Sequence, residues 1–353
     1  MKKISQQKFQ NFLADAIFLT ALYLLYVKLP YFQDFFGNTH HLFFSFTTLE
    51  LFSWLFWGLL IVCFFLRFFS KKPKAGKSLL ALRFGKKILV WLFGEKLPET
   101  KKEEKTAFLS IVVRSFYFPL MLNWCLDHLE NFLGKASEAL SNSGQIFHFS
   151  FFFDNYLFWV VFNLLFFVDT LIFASSYLLE SEFLKNTIRS VEPTIFGWVV
   201  ALMCYPPFNS ITGKLISWET KDFVNDFSDF RINFVLNVLI LGLLFVYVWA
   251  SVALGFKSGN LVNRGIVDRG PYAFVRHPAY IAKNLAWWVG SLPALLLAWN
   301  LSWQDFLLAV VNMMLWSLIY YFRAITEERH LLADPDYQKY VKKVQWRFVP
   351  GVF

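Results

Sequence analysis

Apolar positions along this chain gather into long uninterrupted runs and rarely alternate with polar ones. Eight runs stand out, at 12–29, 47–69, 107–125, 152–178, 193–206, 232–256, 280–299 and 303–325. A helix needs about twenty predominantly apolar residues to cross the hydrocarbon core of a bilayer, and several runs approach that length with few or no charges. The pattern predicts an all-α fold, a polytopic transmembrane helix bundle of about eight spans. The fifth run is short and ends in Pro206-Pro207, so it reads as a half-spanning or broken segment. Segment 79–94, LLALRFGKKILVWLFG, carries Arg83, Lys86 and Lys87 at its centre, too much charge for a span. With Trp91 and Leu92 it reads either as a helix lying on the cytoplasmic leaflet or as a solvated basic loop.

Length alone, 353 residues, would allow two soluble domains. A hydrophobic content of 57%, with 45 phenylalanines, replaces separate cores with one bundle in lipid. A net charge of +9 would suggest nucleic acid in a soluble protein. Here the basic residues sit in particular loops, the pattern that sets membrane orientation, so nucleic acid is not expected as a partner. Segment 70–106 carries eleven Lys/Arg against four Glu, and 257–279 four Lys/Arg against one Asp. Loop 126–149 has one Lys against three acids, and 207–231 three basic residues against four acids. The alternation fits eight spans with both termini cytoplasmic. The N-terminal MKKISQQKFQ is basic, but the apolar stretch after it lacks a small-residue cleavage site, so it reads as a first span and not as a cleaved signal. Cys63, Cys125 and Cys204 lie in or at the ends of apolar runs, which suggests neither a disulfide framework nor a zinc site. Six histidines without ligand spacing give no expectation of a metal.

The chemistry-bearing polar residues concentrate in the last third. PYAFVRHPAYIAKNLAWW, residues 271–288, places Arg276, His277 and Pro278 where an apolar helix begins. A connection of about three residues near WNLSW makes the last two spans a tight antiparallel hairpin, so their open ends meet. One end brings Arg276, His277 and Tyr280, and the other Arg323, Glu327 and Glu328. Residues three and four apart share a helix face. His277, Tyr280, Asn284 and Trp288 form one stripe, and Trp316, Tyr320, Arg323 and Glu327 another. Pro278 suits a first helical turn, whose free N–H groups suit a carboxylate. Each element also has a structural reading. The arginines serve as positive-inside anchors, His277 as a cap, Glu327 as an i,i+4 partner of Arg323, and the aromatics as packing or interfacial belt. GIVDRGP at 265–271 reads as a turn.

GPYAFVRHPAY, followed about fifty residues later by RAITEERHLL and then YQKYVKKVQWRFVP, resembles the isoprenylcysteine carboxyl methyltransferase and phospholipid methyltransferase group of integral membrane methyltransferases. The matching elements are Arg276-His277-Pro278-x-Tyr280, Glu327-Glu328, the paired Tyr337 and Tyr340, and Arg347 with Pro350, over roughly the last third of the chain. Many relatives carry Gly two residues after the tyrosine where this chain has Ala282, which narrows the approach of a cofactor. The resemblance implies S-adenosylmethionine as cofactor. It implies binding by Arg276, His277, Tyr280, Asn284, Arg323, Glu327, Glu328 and Tyr340, with Arg276 and Tyr280 as the catalytic residues. It also implies a methyltransferase core at 232–353; residues 1–231 are read as the substrate side, and the loop charges put the active site on the cytoplasmic face. The expected acceptor is lipidic or prenylated and carries a carboxylate, with membrane lipids as the other partners. A membrane NADPH-dependent sterol-type reductase, a phospholipid or amine N-methyltransferase, and a non-catalytic scaffold remain as alternatives.

Overall fold

A computed structural model describes residues 2–42, 44–69, 74–94, 96 and 98–351. Lys71 and Lys72 of the basic segment lie outside the described residues. The fold is an all-α polytopic bundle, and among the described residues seven helices are long and apolar enough to cross a membrane. The chain is an integral membrane protein with two compact units, residues 1–130 and 131–353.

The first unit begins with α1 (Lys2–Lys28), α2 (Pro30–Phe36) and a short hairpin of β1 (Thr39–His41) and β2 (Ser45–Thr47). Helices α3 (Thr48–Phe68) and α4 (Lys77–Leu92) follow, then most of α5 (Lys102–Ser141). Thr47 and Glu50 form a reciprocal capping box that starts α3. Tyr26, Phe36 and Phe52 make a small aromatic core, and the Tyr26 hydroxyl donates to the Ser115 carbonyl at 2.5 Å. Arg67 holds Asp15 at 2.7 Å, which keeps α1 and α3 in register. The basic segment 79–94 is helical, as α4. Its Lys87 reaches Glu104 at 2.7 Å.

The second unit takes α6 (Phe149–Phe152), a π turn and α7 (Phe158–Leu178) as one continuous run of membrane-crossing length. Strand β3 (Ser190–Val191), α8 (Ile195–Leu202), α9 (Phe208–Leu215) and α10 (Phe230–Leu254) follow. Strand β4 (Val262–Asn263) pairs with β3, and α11 (Pro278–Leu301), α12 (Trp303–Leu331) and α13 (Pro335–Lys343) complete the chain. The expected hairpin is tighter than its sequence suggested. Only Ser302 separates α11 from α12, and its side chain caps α12 by accepting from Asp305 N at 3.1 Å. Phe153, Phe158, Phe162, Val224, Ile240, Leu244 and Ala286 form the core between α7, α10 and α11.

The fifth expected span, 193–206, is not a crossing helix. Its helical part is α8, eight residues long, or about 12 Å at the rise of an α-helix. The pass is completed by α9 and a non-helical run through 216–229. It starts where α12 ends, with Glu192 on Arg329, and finishes at the opposite end, where α10 begins. The seven candidate helices among the described residues and this broken stretch together account for the eight apolar runs of the sequence. Backbone outside a helix is tolerated at such depth only when its polar groups find partners in protein. Lys221 N donates to the Gly290 carbonyl at 3.1 Å. The Asn237 amide closes both ends of Val224, receiving its N–H and donating to its carbonyl at 2.8 Å each. Thr220 donates to the Trp287 carbonyl at 2.7 Å.

Gly290 is what lets this strand approach α11. A Cβ there would stand 2.1 Å from the Lys221 carbonyl oxygen and 2.6 Å from Thr220 Oγ1. Gly290→Ala is expected to destabilise the protein by about 1–3 kcal/mol through overpacking, lowering the melting temperature in detergent. Gly242→Ala on α10, where nothing lies within 4 Å, is expected to leave the melt unchanged or raise it slightly, by up to about 1 kcal/mol.

Candidate functional site

Helices α10, α11 and α12 bring their α13-proximal ends together, and the turns between them carry the polar residues. The 265–271 stretch, expected as a turn, is irregular backbone that runs into a short 3-10 helix at Gly270–Ala273. Gly265 has φ +97° and Gly270 φ +59°, and at Gly270 a Cβ would also press on Ala253 at 3.1 Å.

Glu328 is the hub of this end. It is 7% exposed and accepts from Arg276 Nε at 2.8 Å and Arg347 Nη2 at 2.8 Å. His277 Nε2 lies 3.1 Å from the same carboxylate. The remaining nitrogens of Arg276 are also occupied: Nη1 donates to the Val344 and Gln345 carbonyls at 3.1 and 2.8 Å, and Nη2 faces Glu328 at 3.4 Å. Arg276 N and His277 N donate to the Trp346 and Arg347 carbonyls at 2.9 and 3.0 Å, so the tail is laid along the start of α11 like an added strand. Arg276, His277 and Glu328 therefore form a buried tie between α11, α12 and the tail.

Tyr280, Arg323 and Glu327 face an open cleft between α8, the 259–262 stretch and α12. Tyr280 donates to Glu327 Oε2 at 2.9 Å and stacks on His277 with ring centroids 5.3 Å apart. Glu327 is 44% exposed, unlike its neighbour. Adjacent helix positions point about 100° apart, which sends Glu328 into the tie and Glu327 into the cleft. Arg323 is buried, so it is not a surface anchor. Its guanidinium donates to Asn260 Oδ1 at 2.9 Å and lies over the rings of Tyr320, Tyr280 and Tyr205 at 4.8, 5.1 and 5.8 Å. Among the described residues no ion pair joins Arg323 to Glu327, although one helical turn separates them.

Arg276, His277 and Glu328 belong to the tie and not to the cleft lining, and two further expected residues also stand apart from it. Asn284 donates to the Tyr280 carbonyl at 2.8 Å and leaves its Oδ1 buried without a hydrogen-bond partner. Tyr340 donates to the Tyr272 carbonyl at 2.8 Å and packs with Tyr337 and Val344. Burial pushes the Tyr340 hydroxyl well above the ordinary tyrosine range, so it remains a donor at neutral pH. The cleft also includes Glu192, Asn260 and His330, which the sequence did not single out. Glu192 stands in VEPT, where a Thr cap opens α8, a signal for a helix start and not for a site.

Asp334 caps α13 and latches it to the two-stranded pair. It accepts from Asp336 N at 3.0 Å, Asn263 Nδ2 at 2.8 Å and Arg189 Nη1 at 3.0 Å. Burial works to raise its pKa, but the Asn263 amide, the Asp336 N–H and Arg189 together hold the carboxyl below its usual range.

A lowered folded-state pKa gives stabilisation that is complete above the free carboxyl value of about 3.9 and is lost as the pH falls through the folded one. Hydrogen exchange of residues 335–351, corrected for the intrinsic rate, is therefore expected to accelerate below about pH 4. In Asp334→Asn the same segment should exchange faster already at neutral pH, with a weaker acid dependence. Arg276→Lys is expected to cost about 1.5–3 kcal/mol, because one ammonium replaces a guanidinium bonded to a carboxylate and two carbonyls. Its readouts are a lower melting temperature and faster tryptic cleavage at Lys343. Glu327→Gln, half exposed, should stay within about 0.5 kcal/mol of the parent.

A family described as a protein of unknown function (DUF1295) matches residues 228–344, from the start of α10 through α13. No curated protein and no solved structure matches the chain. The family match thus takes in Arg276, Tyr280, Arg323 and Glu327 and leaves out α8 and Glu192.

Proposed function

We propose that this chain is an S-adenosylmethionine-dependent methyltransferase of the membrane, acting on a lipidic or prenylated acceptor that presents a carboxylate. The observation that carries the reading is the cleft holding Arg323 and Glu327, a cation and an anion one turn apart on α12 and not paired to each other. The amino-acid end of the cofactor is a zwitterion. Arg323 suits its carboxylate, since a guanidinium grips two oxygens at once. Glu327 suits its ammonium, and the Tyr280 ring supplies an apolar, π-rich wall. When bound, the cofactor would supply an activated methyl group on a sulfonium.

The residues of this chain then act by positioning and by excluding water. Asn260 fixes one edge of the Arg323 guanidinium, and the Tyr280 hydroxyl fixes Glu327. Arg276, expected as a contact, holds the tail and the start of α11 in place, so in this reading it is a positioning residue. An acceptor carboxylate is already an anion and needs no general base, whereas an amine would first have to shed a proton. The lipidic character of the acceptor rests on α8. Its Gly197 and Ala201 line the cleft, while Ile195, Phe196 and Val199 expose an apolar face of the kind that meets lipid tails. A chain carried in the bilayer reaches the cleft past this thin wall. We place the site on the cytoplasmic face, on the strength of the loop charges.

Incubation of membranes with methyl-labelled donor, followed by lipid extraction, is expected to leave label in the organic phase in an alkali-labile, ester-linked form. Purified protein should be stabilised against heat by S-adenosylmethionine. Stabilisation by NADPH instead would replace this reading with the reductase one. Glu327→Gln should weaken cofactor binding by about tenfold, the loss of one charge-assisted hydrogen bond, in calorimetry.

A further inference from the structure

Glu192 lies outside every motif that suggested the site, yet its side chain is the most completely buried carboxylate of the cleft, 2% exposed. One oxygen is fully used. Oε1 accepts from Thr194 N at 3.1 Å, from the Thr194 hydroxyl and from Arg329 Nη2 at 2.8 Å. The other oxygen is not. Oε2 is buried without a hydrogen-bond partner, and the ring nitrogen Nδ1 of His330 stands 4.0 Å away. His330 is itself turned to Ser190 through Nε2, at 2.8 Å. Buried carboxylate oxygens are almost always satisfied, so a lone one in a cleft marks an acceptor kept for something else.

The local structure maintains this arrangement. Thr194 caps α8 while bonding to Glu192, and the Trp198 indole donates to the Glu192 carbonyl at 2.9 Å. Gly197 makes the room: a Cβ there would lie 2.5 Å from both Cγ and Cδ of Glu192. Backbone, cap and glycine together fix one oxygen and leave the second buried without a partner at the edge of the cleft.

The chemistry of the missing donor follows from charge. Arg329 already balances the Glu192 carboxylate, so a second cation has little to gain there. Glu327 has no arginine partner among the described residues and is the better seat for a positive group. Glu192 Oε2 is suited to neutral hydroxyl donors. We infer that Glu192 binds the vicinal hydroxyls of a nucleoside ribose, placing the sugar between α8 and α12. This inference rests on the proposed cofactor and adds a contact from the part of the chain that the family match omits.

The test compares S-adenosylhomocysteine with its 2′-deoxy and 3′-deoxy ribose analogues, by calorimetry on the full-length protein in detergent. The parent is expected to bind at least one deoxy analogue about tenfold more weakly than the parent ligand. Glu192→Gln keeps an acceptor for Thr194 and Arg329 but turns a donor toward the sugar. It should lose about tenfold for S-adenosylhomocysteine and discriminate no further against the deoxy analogue. Gly197→Ala displaces the same carboxylate and should abolish discrimination too, which keeps the test open if Glu192→Gln does not accumulate. Full discrimination retained in both variants, or no discrimination by the parent, overturns the role of Glu192 while leaving the cofactor standing. A parent that binds none of the three ligands removes the cofactor reading and this inference with it.

Discussion

A single buried carboxylate organises the end of the molecule where the chemistry lies. Glu328 gathers Arg276, His277 and Arg347, three groups drawn from the start of α11 and from the tail, onto the last turn of α12. Withdrawing a charge from water is costly, and leaving it unpaired costs more, so the three partners and the carboxylate are held to one arrangement. That arrangement sets the register of α11 against α12. It seats the tail, whose carbonyls in turn take the Arg276 guanidinium and two backbone N–H groups. Tyr280 lies one turn beyond His277 and Glu327 one residue before Glu328, so the position of the cleft follows from the position of the tie.

The helices were legible because burial in lipid needs long apolar runs, and those runs can be read directly. The fifth pass was legible only as a break. Its backbone partners are the side chain of Asn237 and the carbonyl of Gly290, remote in sequence and without a periodic signature. The convergence of Arg276, His277, Tyr280, Arg323, Glu327 and Glu328 at one end could be read from helical spacing and a short hairpin. Which of them faces the cleft could not. Arg276 is turned inward by two carbonyls of a tail whose path no local pattern records. The division of labour between Glu327 and Glu328 depends on the rotation of α12, and a sequence shows the spacing of faces but not which face is open. Glu192 was hidden for another reason. A carboxylate before a capping threonine looks like ordinary helix initiation until its second oxygen is found alone.

The cleft has two walls of different character. One is the motif-bearing face of α11 and α12, dense with ring and charge. The other is α8, a short helix whose inner positions are Gly197 and Ala201 and whose outer positions are bare apolar side chains. A thin wall of small residues brings polar chemistry within a helix diameter of the surface that meets lipid tails, about 10 Å. A full-length span in that place would have put larger side chains in the way.

The broken crossing also constrains the order in which the bundle can be assembled. Residues 216–229 leave the ribosome before α10 and α11, yet Asn237 and Gly290, which satisfy backbone groups of Val224 and Lys221, belong to those later helices. Unpaired peptide groups do not settle in hydrocarbon. The segment is therefore expected to wait at the membrane surface after α7 inserts, and to enter only as α10 and α11 arrive beside it. Insertion of this protein is not a sequence of independent helices but includes one strand that must be carried in by its successors.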